Sequence, residues 1–323
     1  MPTPAILQDD PQSVAIPTQE AEPDRHWIQA TLLLLALLSA TRYGMRYMVN
    51  FQHGRFPIAS QSDVIPFPWI FANLPHFGLG LPFSLTLIGI LITHEFGHYF
   101  SCRRYGIHAT IPYFLPAPSL GGTAGAIIRL KSPVTSRAAL ITIGAIGPIA
   151  GFLVAVLTTS IGLILSKPVA LEPQKLVDFQ SPLIFKLLAP LLHVSLDRPL
   201  LWHPILIASW IGILLTSLNL LPAGQLDGGH ILYALSPRIH RVVTYAVIAA
   251  LVYLGIAHWT GWLVWAGFLC LPGMRHPTVN DTRPLPTKLL LLAPLALVIL
   301  ILTAMPEPFT KFSVLDLIAK LHH

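Results

Sequence analysis

The sequence predicts an all-α polytopic membrane protein of about six to eight transmembrane helices, with a short membrane-associated β-hairpin between the second and third. Three observations predict it. Of 323 residues, 54% are hydrophobic and 11% charged, and the mean hydropathy is +0.66, beyond the apolar share of a soluble domain. Apolar runs recur at membrane-spanning length, roughly 17 to 25 residues. The basic residues behind the net charge of +6 sit between those runs rather than in one block. That placement suits the cytoplasmic face of a lipid bilayer and argues against nucleic acid.

Residues 1–26 are acidic and lack both a basic n-region and an apolar h-region, so they read as a disordered tail and not a targeting peptide. The first span, near 27–44, then acts as an uncleaved anchor and forms a unit with its loop over 27–75. Asp9, Asp10, Glu20, Glu22 and Asp24 before it oppose Arg42, Arg46 and Arg55 after it, which leaves its orientation open. The second span, 78–100, is followed by Arg103, Arg104, Arg129, Lys131 and Arg137, which assign that connection to the cytoplasm. Inside the connection, two apolar runs flank the turn signal Gly121-Gly122, and a hairpin dipping into the interface is expected over about 108–131.

The third span covers 138–165. Prolines then punctuate 166–200 around the amphipathic stretch "LIFKLLAPLLHV", read as a loop with an interfacial helix. A fourth span, 201–221, must end or unwind at Pro222, which removes a helix hydrogen bond. Spans at 242–257 and 288–304 follow, with a shorter run at 259–272 between them and then the loop "CLPGMRHPTVNDTRPLPTK". Cys102 and Cys270 are the two cysteines, so neither a disulfide framework nor a cysteine zinc motif is available.

The second span carries "LITHEFGHYF", in which His94, Glu95 and His98 spell H-E-x-x-H. On a helix, positions four apart share one face, so both imidazoles can reach one metal ion while Glu95 contacts a metal-bound water. That is the chemistry of zinc hydrolysis. Chance would place the pattern in roughly one shuffled sequence in a hundred, and burial in a span, where ionisable groups are costly and mark function, lowers that further. Gly97, between the histidines, leaves room for close approach of another helix or a substrate. A catalytic zinc keeps three protein ligands and an open position. Asp227, in the Gly-rich turn after the fourth span, is the carboxylate placed to turn inward; its other reading is an N-cap for a helix starting near His230.

Together these stretches resemble the site-2 protease family of intramembrane zinc metalloproteases, marked by H-E-x-x-H in one span and N-x-x-P-x-x-x-x-D-G in another. Asn219, Pro222, Asp227 and Gly228 match the second mark, His94, Glu95 and His98 the first, and "GPIAGF" (147–152) resembles the family's Gly-Pro element. The resemblance covers about 78–235 and is closest to the branch without PDZ modules, found in bacteria and plastids and including the EGY-like proteases of chloroplasts. It implies Zn²⁺ as cofactor, with His94, His98 and Asp227 as metal ligands, Glu95 as general base and Asn219 as an aid to the oxyanion or substrate backbone. It also implies a catalytic core over 76–235, followed by C-terminal transmembrane helices and a short tail over 236–323.

His230 directly follows the Gly pair and reads as a fourth ligand or as a hydrogen-bond partner to a ligand, the first disfavoured because four protein ligands close a zinc site. His203 reads as a helix start, and His53, His76, His108, His193, His240, His258 and His276 as polar anchors in loops or near interfaces. Gly144, Gly147, Ala150 and Gly151 form a small-residue stripe that suits helix packing against the zinc helix. Trp202, Trp210, Trp259, Trp262 and Trp265 read as interfacial or packing residues.

The expected activity is hydrolysis of peptide bonds in or near transmembrane segments of membrane proteins, with the substrate held as an extended strand on the hairpin edge. A bacterial cytoplasmic membrane is the expected location. Two other readings are a divalent-metal transporter, disfavoured by the lack of internal repeat symmetry, and a scaffold that binds membrane helices without cutting, disfavoured by the intact Glu95.

Overall fold

The computed structural model describes residues 26–60, 63, 74–169, 177–196, 198–310 and 314; up to residue 25, the tail expected over 1–26 lies outside the described residues. In chain order the fold contains α1 (His26–Gln52), α2 (Leu81–Arg104), β1 (Tyr113–Pro116), β2 (Thr123–Ile127), α3 (Arg137–Leu165), β3 (Lys167–Pro168), α4 (Leu183–Leu191), β4 (Leu200–Leu201), α5 (Pro204–Asn219), α6 (Asp227–Leu235), α7 (Pro237–Ala257), α8 (Gly261–Cys270) and α9 (Leu292–Thr303). The protein is mostly helical. By length and composition, four helices among the described residues can cross a membrane: α1, α2 with the turn before it, α3 and α7. The runs expected as further spans form shorter apolar helices, α5, α8 and the Thr287–Thr303 segment that includes α9.

Local chemistry sets the helix ends. Ser136 Oγ accepts the Ala139 N–H at 3.5 Å to start α3, and Ser236 Oγ accepts the Ile239 N–H at 3.3 Å to start α7. His203 Nδ1 accepts the Ile205 N–H at 3.2 Å ahead of Pro204, the helix start read from its sequence position. Helix α5 stops at Asn219, three residues before Pro222, and α6 begins at Asp227. The fourth apolar run thus breaks where proline forbids its continuation.

The core is built around α2, α3 and α5, which pack on one another. Glycines set the α2–α3 spacing: a Cβ on Gly97 would lie 2.8 Å from Gly147 Cα and 2.9 Å from Ile146 O. Such contact excludes any side chain there, the close approach expected of small residues at helix crossings. Trp210 and Trp262 are packing residues, buried at 1% and 5% exposure, and their indole N–H groups donate to Gln180 O and Pro306 O, both at 2.7 Å.

Strands β1 and β2 form the antiparallel hairpin, with Tyr113 opposite Ile127, Phe114 opposite Ala126 and a bulge before the Pro116–Thr123 pair. Pairing continues beyond the strands, where Lys131 N–H donates to His108 O at 2.7 Å and Thr110 N–H to Arg129 O at 2.9 Å. Gly122, in the turn, has φ +71°, which a residue without Cβ adopts freely. The hairpin is longer than a dip at one helix end. Gln29 Nε2–H donates to Ile111 O at 3.1 Å and Tyr47 Oη–H to Leu120 O at 2.8 Å, so the hairpin tracks α1 for about 27 Å. Its tip packs at Gly122 on Ala40 of α1 and at Gly121 against Leu87 of α2 and Ile211 of α5.

Candidate metal centre

Helix α2 presents His94 and His98 one turn apart, with Glu95 next to His94, all buried at 3–5% exposure. Their ligand atoms lie within 4.8 Å of one another, and the two imidazole centroids are 4.9 Å apart. This part of the site follows from helical spacing alone.

The remaining groups come from α5 and α6, with the start of α6 resting on the same glycine stripe of α3 that meets the histidines. Asp227 opens α6, and its Oδ2 lies 3.2 Å from His94 Nε2 and 3.3 Å from His98 Nε2, 133 residues apart in the first case. It does not act as an N-cap: the cap position is Leu226, without a side-chain cap bond. Asn219, the last residue of α5, brings its Nδ2 to 3.5 Å from His94 Nε2. The five residues to which the resemblance gives site roles therefore meet in one place.

Helix α3 supplies the floor. A Cβ on Gly147 would overlap the His98 ring, one on Gly151 would lie 3.0 Å from His94 Cβ, and one on Gly144 would lie 2.7 Å from Asp227 O and 3.0 Å from His230 Cβ. The small-residue stripe is thus the surface on which the histidines and the start of α6 rest. Helix α3 also sets a tautomer: His98 Nδ1–H donates to Ile143 O at 2.8 Å. A neutral His98 therefore presents an Nε2 lone pair toward the Asp227 carboxylate.

The His98 Nε2 lone pair and a carboxylate oxygen facing each other repel unless a cation lies between them. Ligand atoms about 2.0 Å from a tetrahedral zinc stand about 3.3 Å apart, the separation of Asp227 Oδ2 from both Nε2 atoms. The donor set and its spacing fit Zn²⁺.

Sequence reasoning missed what lies on the other side of α6. His230 Nδ1 lies 2.9 Å from His276 Nε2, and the His276 ring stacks on Tyr233 at 3.7 Å and 9°. His240 is buried and donates Nε2–H to Gly224 O at 3.0 Å. His240 and His276, expected as polar anchors in loops or near interfaces, instead pack around the Asp227 segment. Neither spacing nor motif marks them, because their partners lie 16 and 46 residues away.

The family model for Peptidase family M50 matches residues 82–258. The "Probable zinc metalloprotease EGY1, chloroplastic" of Arabidopsis thaliana is 29% identical over 310 residues, covering 89% of this chain and 55% of that protein. The "Probable zinc metalloprotease EGY2, chloroplastic" of the same plant is 29% identical over 310 residues, covering 93% and 53%. A rice relative, "Probable zinc metalloprotease EGY1, chloroplastic" of Oryza sativa subsp. japonica, is 34% identical over 168 residues, 49% of this chain and 28% of that protein. The chain spans about half the length of the two Arabidopsis relatives. Two histidines, two carboxylates and an asparagine from three helices fall inside the matched stretch, and the chain belongs to peptidase family M50.

Proposed function

We propose that this chain is an intramembrane zinc metalloendopeptidase that hydrolyses peptide bonds in or near transmembrane segments of membrane proteins. One observation carries the reading: Asp227 Oδ2 stands 3.2 and 3.3 Å from the Nε2 atoms of His94 and His98. His94, His98 and Asp227 would hold the zinc, leaving one position for water or substrate. Bound zinc would supply Lewis acidity, polarising the scissile carbonyl and bringing the pKa of water to about 7.

The chain's own groups do the rest. Glu95, beside the histidines and not needed as a ligand, takes the proton of the attacking water and passes it to the leaving amine. Asn219 Nδ2, 3.5 Å from His94 Nε2, steadies the developing oxyanion or the substrate backbone. The substrate must be extended at the cut, since a helix hides its carbonyls in its own hydrogen bonds. Ile128, the residue after β2, turns its N–H to Glu95, and an extended substrate would pair with the hairpin at this end, beside the site.

On this reading the catalytic core is 76–235, in a bundle whose helices of membrane-spanning length are supplemented by the shorter apolar helices α5, α8 and α9. The EGY1 and EGY2 relatives of Arabidopsis are named chloroplastic, so a plastid membrane stands beside a bacterial cytoplasmic membrane as the location.

The test is cleavage of a single-span reporter by the full chain in liposomes, with zinc content measured in parallel. Glu95→Gln should keep zinc and lose about 10²–10⁴-fold in rate. Asp227→Ala should lose both zinc and cleavage. Undiminished cleavage in Glu95→Gln removes the general base, and metal flux across the liposome without cleavage replaces the protease with a transporter.

A further inference from the structure

Helix α6 has nine residues, too few to hold itself together, since isolated helices shorter than about 12–15 residues are marginal. Its first residue is Asp227, and its Leu226 cap makes no side-chain cap bond. One flank rests on Gly144 of α3. The other is crossed by residues 272–283, from the loop that follows α8.

This segment is fastened at both ends of α6. Upstream, Gln225 Nε2–H donates to Arg275 O at 2.9 Å and also to Gly273 O. Midway, His276 meets His230 and lies flat on Tyr233. Downstream, Val279 N–H donates to Tyr233 Oη at 3.3 Å. Asp281 accepts the Arg137 N–H at 3.0 Å, while Arg137 donates to Ala234 O at 2.7 Å and Leu235 O at 3.1 Å.

The direction of the central hydrogen bond follows from its neighbours. His276 Nδ1 lies 2.8 Å from Pro277 O; a carbonyl only accepts, so Nδ1 carries the proton. Burial first, and His240 nearby, push His276 down to about 4, so at neutral pH its Nε2 is an acceptor. His230 Nδ1–H therefore donates to His276 Nε2.

We propose that residues 272–283 are a strap that belongs to the metal centre, with His276 as a positioning residue that acts through His230 to hold Asp227 against the α2 histidines. The proposal rests on the zinc reading above. Partners that orient metal ligands are worth about 10–100-fold in metal affinity, and a bound metal demands ligand placement to about 0.2 Å.

The test uses the purified full chain in detergent. Zinc affinity is measured by competition with a chromophoric chelator, and hydrogen exchange of residues 227–235 is measured in zinc-free protein. His276→Ala should weaken zinc binding about 10–100-fold and speed exchange along α6. His276→Gln, whose amide oxygen accepts from His230, should recover much of the loss, while His276→Phe, which keeps the face for Tyr233 but accepts nothing, should recover little. Gln225→Ala releases the other end and should lower affinity independently. Unchanged affinity and exchange in both His276→Ala and Gln225→Ala overturns the strap, and equal losses in His276→Phe and His276→Gln overturn the positioning role of His276. A wild-type chain that binds no zinc overturns the protease reading instead, and exchange in the zinc-free protein still decides the strap.

Discussion

Helix α6 is held from two sides by opposite means. Toward α3 it meets a glycine, with Asp227 O and His230 Cβ where a Gly144 side chain would be. Toward residues 272–283 it meets hydrogen bonds and a stacked ring. The first contact is steric and admits no added atom, because close-packed interiors do not yield by the width of a methyl group. The second is a set of separable polar contacts, each worth about 0.5–1.5 kcal/mol. The metal centre is therefore intolerant on its floor and graded on its strap.

Three substitutions test that contrast, in order of expected effect. Gly147→Ala should be the most damaging: its methyl would overlap the His98 ring, displacing that imidazole outright. Zinc stoichiometry should collapse in metal analysis, and normal zinc binding in this variant would break the steric account. Gly151→Ala sharpens it, since the methyl would stand 3.0 Å from His94 Cβ and 3.2 Å from Nδ1, close enough that the ring must shift by tenths of an ångström. A cost of about 1–3 kcal/mol is expected by thermal unfolding, with zinc retained at lower affinity.

Asp281→Asn should matter least and only above acid pH. Hydrogen bonds from Arg283 first, and from the Arg137 N–H, hold the Asp281 carboxyl below the usual carboxylate range. A carboxyl whose folded pKa is depressed contributes stability above its unfolded value of about 3.9 and loses it as pH falls through the folded value. Wild type should melt slightly above Asp281→Asn at pH 7, and the gap should close at strongly acidic pH. A gap that widens on acidification would show that the carboxylate does not hold this end of the strap.

The same contrast explains what could be read in advance. His94 and His98 are legible as one face because helical spacing is local. Pro222 is legible as the end of α5 because the missing N–H and the ring act within a turn. Gly121-Gly122 is legible as a hairpin tip because its conformation belongs to those residues. The glycine stripe of α3 is legible as a packing surface but not as the seat of particular rings. The strap is illegible: nothing in "CLPGMRHPTVNDTRPLPTK" differs from an ordinary proline-rich loop.

By itself, the sequence determined the apolar helices, their breaks and the residue types able to bind and use zinc, since propensity, periodicity and side-chain chemistry act over a few neighbours. Only the tertiary structure decided that Asp227 Oδ2 faces both Nε2 atoms, that Gly147 lies under His98 and that His276 reaches His230. Those contacts join residues 46 to 133 positions apart. A few ångströms of helix placement make or break them, and that placement is set by how whole helices pack.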